Sequence, residues 1–279
     1  MLITVTHALQ VQDLHEGGPY RPEFRLPPRH KDTSETGEER LSLDYTKKIK
    51  EKITGWGADL VGIADVEPLK ELGVDPPDLL EPFSRAISIA VQLPVAVFEQ
   101  IADRPTPIYK SIYQTVNLTL DQIALKTALE LQSKGFNGLP IPASQVLDLK
   151  TWHGAISHKA VSRMAGLGWQ GKSLLLVTPQ YGPRVRLVTV LTDAPLDADR
   201  ETENRCGKCT MCRDACPAGA IKCIGTESHY KDRNEALYFS RCVEKVVGEF
   251  AKIPEVGLPI CGICIKVCPF GRNPIHYSR

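Results

Sequence analysis

The amino-acid sequence calls for an α+β chain in two parts. Helical and strand-like segments alternate through residues 41–195, as in a sheet packed by helices. All nine cysteines fall between Cys206 and Cys268, which marks residues 201–279 as a chemically distinct piece. Residues 1–40 fit neither pattern: Gly17-Gly18-Pro19, Pro27-Pro28 and the polar run His30 to Arg40 read as an extended arm. The expected divisions are an arm over 1–40, a sheet domain over 41–200 and a cysteine-rich domain over 201–279.

Each element has its own signal. Leu43–Trp56 places Tyr45, Ile49 and Ile53 on one helical face, and Gly55 and Gly57 stop it. Asp59–Ala64 and Ala86–Val91 read as strands, and the Pro-rich stretch 94–107 as a loop. A long helix follows over Ser111–Lys134, with Ile112, Leu120, Ile123, Ala124, Ala128 and Leu131 on its apolar side and Gly135 as its C′ residue. Residues 138–142 lead into a loop, and Ser157–Gly166 is helical. Ser173–Thr178 and Arg184–Thr192 read as two strands joined hairpin-fashion by Pro179-Gln180-Tyr181-Gly182-Pro183. Arg184 and Arg186 alternate with Val185 and Leu187, so they share one face, read as solvated. Residues 193–200 form a polar linker.

Composition excludes several classes. The 279 residues are 42% hydrophobic and 24% charged, which rules out collagen-like, coiled-coil and wholly disordered chains. The net charge of +1 gives no electrostatic argument for a nucleic-acid or membrane partner. Residues 201–279 carry 12 Lys+Arg against 9 Asp+Glu, too weak a bias for a phosphate-binding stripe. No apolar run approaches the roughly 18 residues of a membrane span. Met1–Leu14 lacks the basic and apolar regions of a leader and a twin-arginine pair, so the expected location is the cytoplasm.

The cysteines carry the chemistry. Their count is odd and their spacings short, which favours metal ligation over a disulfide framework. One motif is Cys206-x2-Cys209-x2-Cys212-x3-Cys216-Pro217, the run found in bacterial two-cluster ferredoxins. In that arrangement three closely spaced thiolates wrap one 4Fe–4S cube and the cysteine before proline crosses to the other. The second motif, Cys261-x2-Cys264-x3-Cys268-Pro269, has Val267 where its middle cysteine is expected. Cys206, Cys209, Cys212 and the crossing Cys268 then take one cluster. Cys261, Cys264 and the crossing Cys216 take the second, which needs one more ligand from Cys223 or Cys242. Cys242, in an otherwise helical stretch, has the freedom to swing in, which leaves Cys223 a free thiol. Paired CxxC knuckles would also suit zinc, but zinc does not explain a CxxCxxCxxxCP run.

Ala165-Gly166-Leu167-Gly168-Trp169-Gln170-Gly171-Lys172, the Thr178-Pro179-Gln180-Tyr181-Gly182 turn and the following CxxCxxCxxxCP run together resemble epoxyqueuosine reductase. The same superfamily includes the reductive dehalogenases. The resemblance spans residues 41–275. It implies a nitroreductase-like sheet domain fused to a bacterial-ferredoxin-like module with two 4Fe–4S clusters. It further implies a base-off cobalamin between them, reduced through the clusters. It supplies a lone cysteine between the two motifs as a cluster ligand, which Cys242 matches.

Against that pattern, the acid expected before the AGLG segment is replaced by Trp152, beside His153 and Gly154. The chain also ends eleven residues after Cys268, with no helical-repeat segment for holding tRNA. The expected activity is therefore a cobalamin-dependent iron–sulfur reduction of a substrate other than tRNA. The alternative is an electron-transfer protein serving another redox or corrinoid protein. A reduced ferredoxin or flavodoxin is the expected donor, and a small molecule or a protein the acceptor. His153 is the candidate proton donor, with His158 behind it. Gly154, Ser157, His158, Gly166, Gly168, Lys172 and Tyr113 are the candidate cofactor-binding residues. Trp169 is read as core.

Overall fold

A computed structural model describes residues 38–148 and 150–271. The arm expected over 1–40 falls outside them except for residues 38–40, which open the first helix. The sheet domain runs α1 (Glu38–Gly55), β1 (Leu60–Asp65), β2 (Arg85–Gln92), α2 (Val95–Glu99), α3 (Pro107–Ser133), β3 (Gly138–Ile141), α4 (His158–Met164), β4 (Trp169–Gln170), β5 (Leu176–Val177) and β6 (Val185–Thr192). Four of the strands form one antiparallel sheet in the order β1-β2-β6-β3.

The period-2 alternation of β2 separates two faces. Ile87 and Ile89 are fully buried with Ile49 and Ile53 of α1 and Leu120 and Ile123 of α3. Ala86 packs on the opposite face with Val161 and Ala165. There Ser88 Oγ meets Ser162 Oγ of α4 at 2.7 Å, so small side chains let that helix lie close. α3 begins four residues earlier than expected. Thr106 Oγ1 accepts the Tyr109 N–H at 3.2 Å and Pro107 occupies the first turn, where its missing N–H costs nothing.

Four expectations are corrected. Within the stretch 94–107 read as loop, Val95–Glu99 form the short helix α2. Residues 138–141 are not loop but β3, paired with β6 through Pro140 as an edge strand, a sheet position that tolerates proline. The hairpin of 173–178 with 184–192 does not form. β5 pairs with β4, Trp169 opposite Val177, while both edges of β6 are taken by β2 and β3. The near-continuous apolar run of β6 is that of a central strand covered on both faces. Arg184 and Arg186 are not a solvated face. Arg184 is buried and donates to the Leu93 and Gly271 carbonyls, and Arg186 donates to Asn117 Oδ1 at 2.8 Å and lies over the Tyr113 ring.

The linker 193–200 is held along β1. The Asp199 N–H donates to the Ile63 carbonyl at 2.8 Å, and Asp199 Oδ2 accepts the Ile63 N–H and Lys50 Nζ, each at 2.7 Å. Beyond it the chain holds short helices: α5 (Met211–Asp214), α6 (Arg233–Ala236), α7 (Phe239–Val243) and α8 (Ile263–Lys266).

Candidate metal centre and adjoining cavity

The short helices bring the cysteines into one neighbourhood. Their mutual fields sort loosely into two groups, with Cys264 feeling Cys212 of the other. Among the described residues no three His, Cys, Asp or Glu side chains sit close enough to hold one ion. Cys206, Cys209, Cys212 and Cys268 line one small cavity, which Cys264 also borders. Burial pushes Cys212 and Cys268 up to about 11. Cys223 and Cys206 add to the shift at Cys212, and Cys206 and Cys212 to that at Cys268. Burial likewise raises Cys261 to about 11, with Cys242 and Cys216 adding to it, and it raises Cys264 well above the ordinary range. Desolvated thiols, their pKa values raised, are the donors that a cationic iron centre converts to thiolates, and the donor set fits that chemistry. Cys223 has φ 63° and its Sγ lies 3.6 Å from the Cys209 carbonyl, beside the first group rather than the second.

The AGLGWQGK segment turns out to face the first group of thiols. The indole N–H of Trp169 donates to Cys206 Sγ at 3.4 Å. Lys172 Nζ donates to the Gly207 and Cys209 carbonyls at 2.8 and 2.9 Å. The Gln170 side chain accepts the Tyr230 N–H at 2.8 Å, and its carbonyl accepts from Asn204. Gly168 is glycine because a Cβ there would lie 2.2 Å from the Val177 carbonyl oxygen, the backbone of β5. Gly166 abuts the Arg200 carbonyl in the same way. The 178–182 turn presses its backbone on the residues after Cys268: a Cβ on Gly182 would sit 2.0 Å from the Phe270 carbonyl. Reading Trp169 as core alone missed its indole donor, because a contact across 37 residues leaves no local pattern.

A second cavity of about 850 Å³ is lined by residues of the sheet and of the cysteine-rich segment. Its apolar wall includes Ile156, Leu174, Leu176, Val185 and Leu187, and Phe239 and Ile265 close it from the cysteine-rich side. Gly154, Ser157, His158 and His153 line it, whereas Gly166, Gly168, Lys172 and Tyr113 do not. Tyr113 instead bonds Ser144 Oγ at 2.9 Å and Arg186 at 3.2 Å.

His158 is locked: Nδ1 meets Thr189 Oγ1 at 2.8 Å and Nε2 meets the Pro142 carbonyl at 3.0 Å. Burial lowers its pKa to about 4, so it is neutral at pH 7. His153 is exposed, and its backbone carbonyl accepts the Leu147 N–H at 2.8 Å. Asp148 is an acceptor for Thr151 Oγ1 and the Lys150 N–H, which holds its carboxyl below the usual range. Trp152 lines the cavity with φ 58°, its N–H donating to the Asp148 carbonyl at 2.7 Å.

Lys159, unremarked in the sequence, opens to the cavity with no hydrogen-bond or ion-pair partner among the described residues. Desolvation, then Arg186 and Arg233, pull its pKa below the usual lysine range, while Cys242 and Cys264 oppose them.

Residues 205–271 match the family of 4Fe-4S double cluster binding domains. The epoxyqueuosine reductase of Listeria monocytogenes is 33% identical over 127 residues, covering 45% of this chain and 33% of the relative. That of Vibrio cholerae is 26% identical over 275 residues, covering 82% and 69%. Among solved structures, a catabolic reductive dehalogenase in complex with 3-bromo-4-hydroxybenzoic acid superposes with a TM-score of 0.66 at 21% identity, covering 84% of this chain and 32% of that one. Epoxyqueuosine reductase from Bacillus subtilis gives 0.54 at 21%, covering 83% and 66%. The matched segment of Listeria monocytogenes spans about a third of that relative's length. The chain is thus similar in sequence to epoxyqueuosine reductases, shares its fold with them and with reductive dehalogenases, and carries a double 4Fe–4S cluster domain. Among the described residues, no helix is long and apolar enough to cross a membrane.

Proposed function

We propose that the chain is a cytoplasmic iron–sulfur reductase that uses two 4Fe–4S clusters and a base-off corrinoid to reduce a small molecule, with reduced ferredoxin or flavodoxin as donor. The observation that carries this reading is the cavity walled by the sheet and the cysteine-rich segment, with Cys242 and Cys264 close enough to act electrostatically on Lys159. Cys206, Cys209, Cys212 and Cys268 would hold the first cluster, and Cys216, Cys242, Cys261 and Cys264 the second. The mutual fields of most of these thiols fit that division, and Cys264 stands between the sets, feeling Cys212 as well as Cys261 and Cys242. The sheet domain would be of the nitroreductase-like type.

The cavity suits a flat macrocycle. Its volume lies in the upper part of the roughly 300–1,000 Å³ typical of cofactor sites. Leucine and valine side chains offer an apolar face, with Gly154 and Ser157 beside them. Bound there, the corrinoid would supply a reducible cobalt, the centre at which an epoxide oxygen or a halide is removed in the family this chain resembles. His158 has both ring nitrogens engaged and offers cobalt no lone pair.

Proton supply falls to Lys159. His158 is neutral and locked, Asp148 is held ionised, and Trp152 stands where the carboxylic acid is expected. Lys159 is an exposed residue of the cavity wall, and desolvation, then the fields of Arg186 and Arg233, lower its pKa, which makes Nζ a stronger acid than an ordinary lysine. The indole at 152 narrows the same cavity, which favours a small substrate over a modified tRNA.

Anaerobic purification with cobalamin supplied tests the reading. About eight iron per chain with stoichiometric cobalt is expected, together with no conversion of epoxyqueuosine-containing tRNA. Eight iron without cobalt would leave an iron–sulfur electron carrier serving another redox or corrinoid protein.

A further inference from the structure

We infer that the AGLGWQGK segment sets the reduction potential of the first cluster through Trp169 and Lys172. This rests on the two-cluster ligand sets above. Trp169 is 1% exposed and its indole N–H has one acceptor, the sulfur of Cys206. The ring cannot turn away. Phe270 packs edge-on with centroids 4.9 Å apart, and the Arg205 guanidinium lies 5.8 Å from the ring centre. Both neighbours adjoin cluster cysteines in sequence, Arg205 before Cys206 and Phe270 two residues after Cys268. The indole is therefore locked to two of the four ligands.

Lys172 acts on the turn between them. It is 7% exposed, and Nζ holds the Gly207 and Cys209 carbonyls, which fixes the shape of the Cys206–Cys209 turn. Among the described residues no carboxylate neutralises it, so a whole positive charge sits beneath the ligand loop. The second group differs. Among the described residues its sulfur contacts come from the backbone, from the Ala220 N–H to Cys216 Sγ at 3.4 Å and from Ile263 to Cys261, with no side-chain donor among them. Lys159 faces it across an open cavity, and Lys245, near Cys261, is partly exposed.

A reduced cluster carries one more negative charge than an oxidised one. A hydrogen bond to a ligand sulfur and a buried cation both favour that charge, and both raise the potential. Water screens such effects in the open but little in a dry pocket. Trp169 and Lys172 act through the ligand loop, and are positioning residues rather than catalytic ones. The inference makes the first cluster the easier of the two to reduce.

The test is an anaerobic redox titration of the whole protein, followed by electron paramagnetic resonance, for wild type, Trp169→Phe, Lys172→Met and Lys172→Gln. Phenylalanine keeps most of the buried volume without the donor, and glutamine keeps a donor to the carbonyls without the charge. With about eight iron retained, one of the two cluster signals should move to lower potential in all three variants while the other stays. The expected shift is about tenfold in the reduced-to-oxidised ratio at fixed potential, or roughly 59 mV for one electron. Unmoved potentials with full iron would overturn the inference, and so would equal shifts of both signals. If Trp169→Phe loses iron, the two lysine variants decide. Loss of iron from all three would leave only a structural role and also overturn it. Failure of the two-cluster reading is separate, since wild type itself would then lack eight iron and paired signals.

Discussion

In the sheet domain, β2 and β6 pair over eight positions, and Ile63, Ile87, Ile89, Val188 and Val190 are fully buried beneath α3. In the cysteine-rich module the α-helices are four or five residues long, far below the length at which a helix sustains itself. One apolar cluster there is Leu174, Ile221, Tyr230, Ala236 and Leu237, with Leu174 borrowed from before the cysteines, while Val256, Ile260 and Ile263 pack into the core beneath the sheet. The difference teaches where each half draws its stability: the first from its own buried area, the second from packing Val256, Ile260 and Ile263 into that same core and from the metal–thiolate bonds its cysteines are spaced to make.

The sharpest way to separate the halves is to remove one ligand. Cys242→Ala should lose up to about half of the iron and speed amide hydrogen exchange across 205–271 while β2 and β6 stay protected. Cys223→Ala should keep the iron. The reverse result would exchange the roles of the two cysteines. A smaller effect is expected in the sheet. Ile89→Ala leaves a cavity between β2 and α3 and should cost about 2–5 kcal/mol, read from the urea midpoint with no change in iron spectrum below the transition.

The smallest effect is a pH dependence. His158 is neutral in the fold with a pKa lowered to about 4 from 6.5, so the unfolded chain binds the proton first. Its contribution is fully present above pH 6.5 and falls away as pH drops towards 4. Urea midpoints of wild type should decline across that window more steeply than those of His158→Gln. Parallel declines would mean the ring is not held neutral.

How much of this was legible follows from range. The double-cluster character of the cysteine-rich segment was readable because three or four cysteines lie within a few residues of one another, and local spacing constrains them. α3 was readable by its apolar period, but its start was hidden because Pro107 looks the same in a loop and at a helix N-terminus. β3 was missed because Pro140 argues against a strand unless it lies at an edge, and edges are a tertiary fact. The hairpin failed for the same reason: β6 resembles any apolar strand until its neighbours are known. The AGLGWQGK segment was singled out by its motif, and its contacts are those of a wall beside the cysteines. Gly166, Gly168 and Lys172 do not line the cavity, since their partners Arg200, Val177, Gly207 and Cys209 meet them only through the fold.

The position of Trp169 and Lys172 ahead of every cysteine has a consequence for biosynthesis. Translation proceeds from the N-terminus, and domains tend to fold as units in that order. All four strands of the sheet, and the indole and ammonium groups beside them, leave the ribosome before Cys206 does. The last ligand, Cys268, emerges 62 residues after Cys206, on a segment whose neighbour Phe270 needs the Trp169 ring as its seat. The nascent chain therefore offers the assembling metal centre a finished wall, and the order of residues along the gene is also the order in which the site is built.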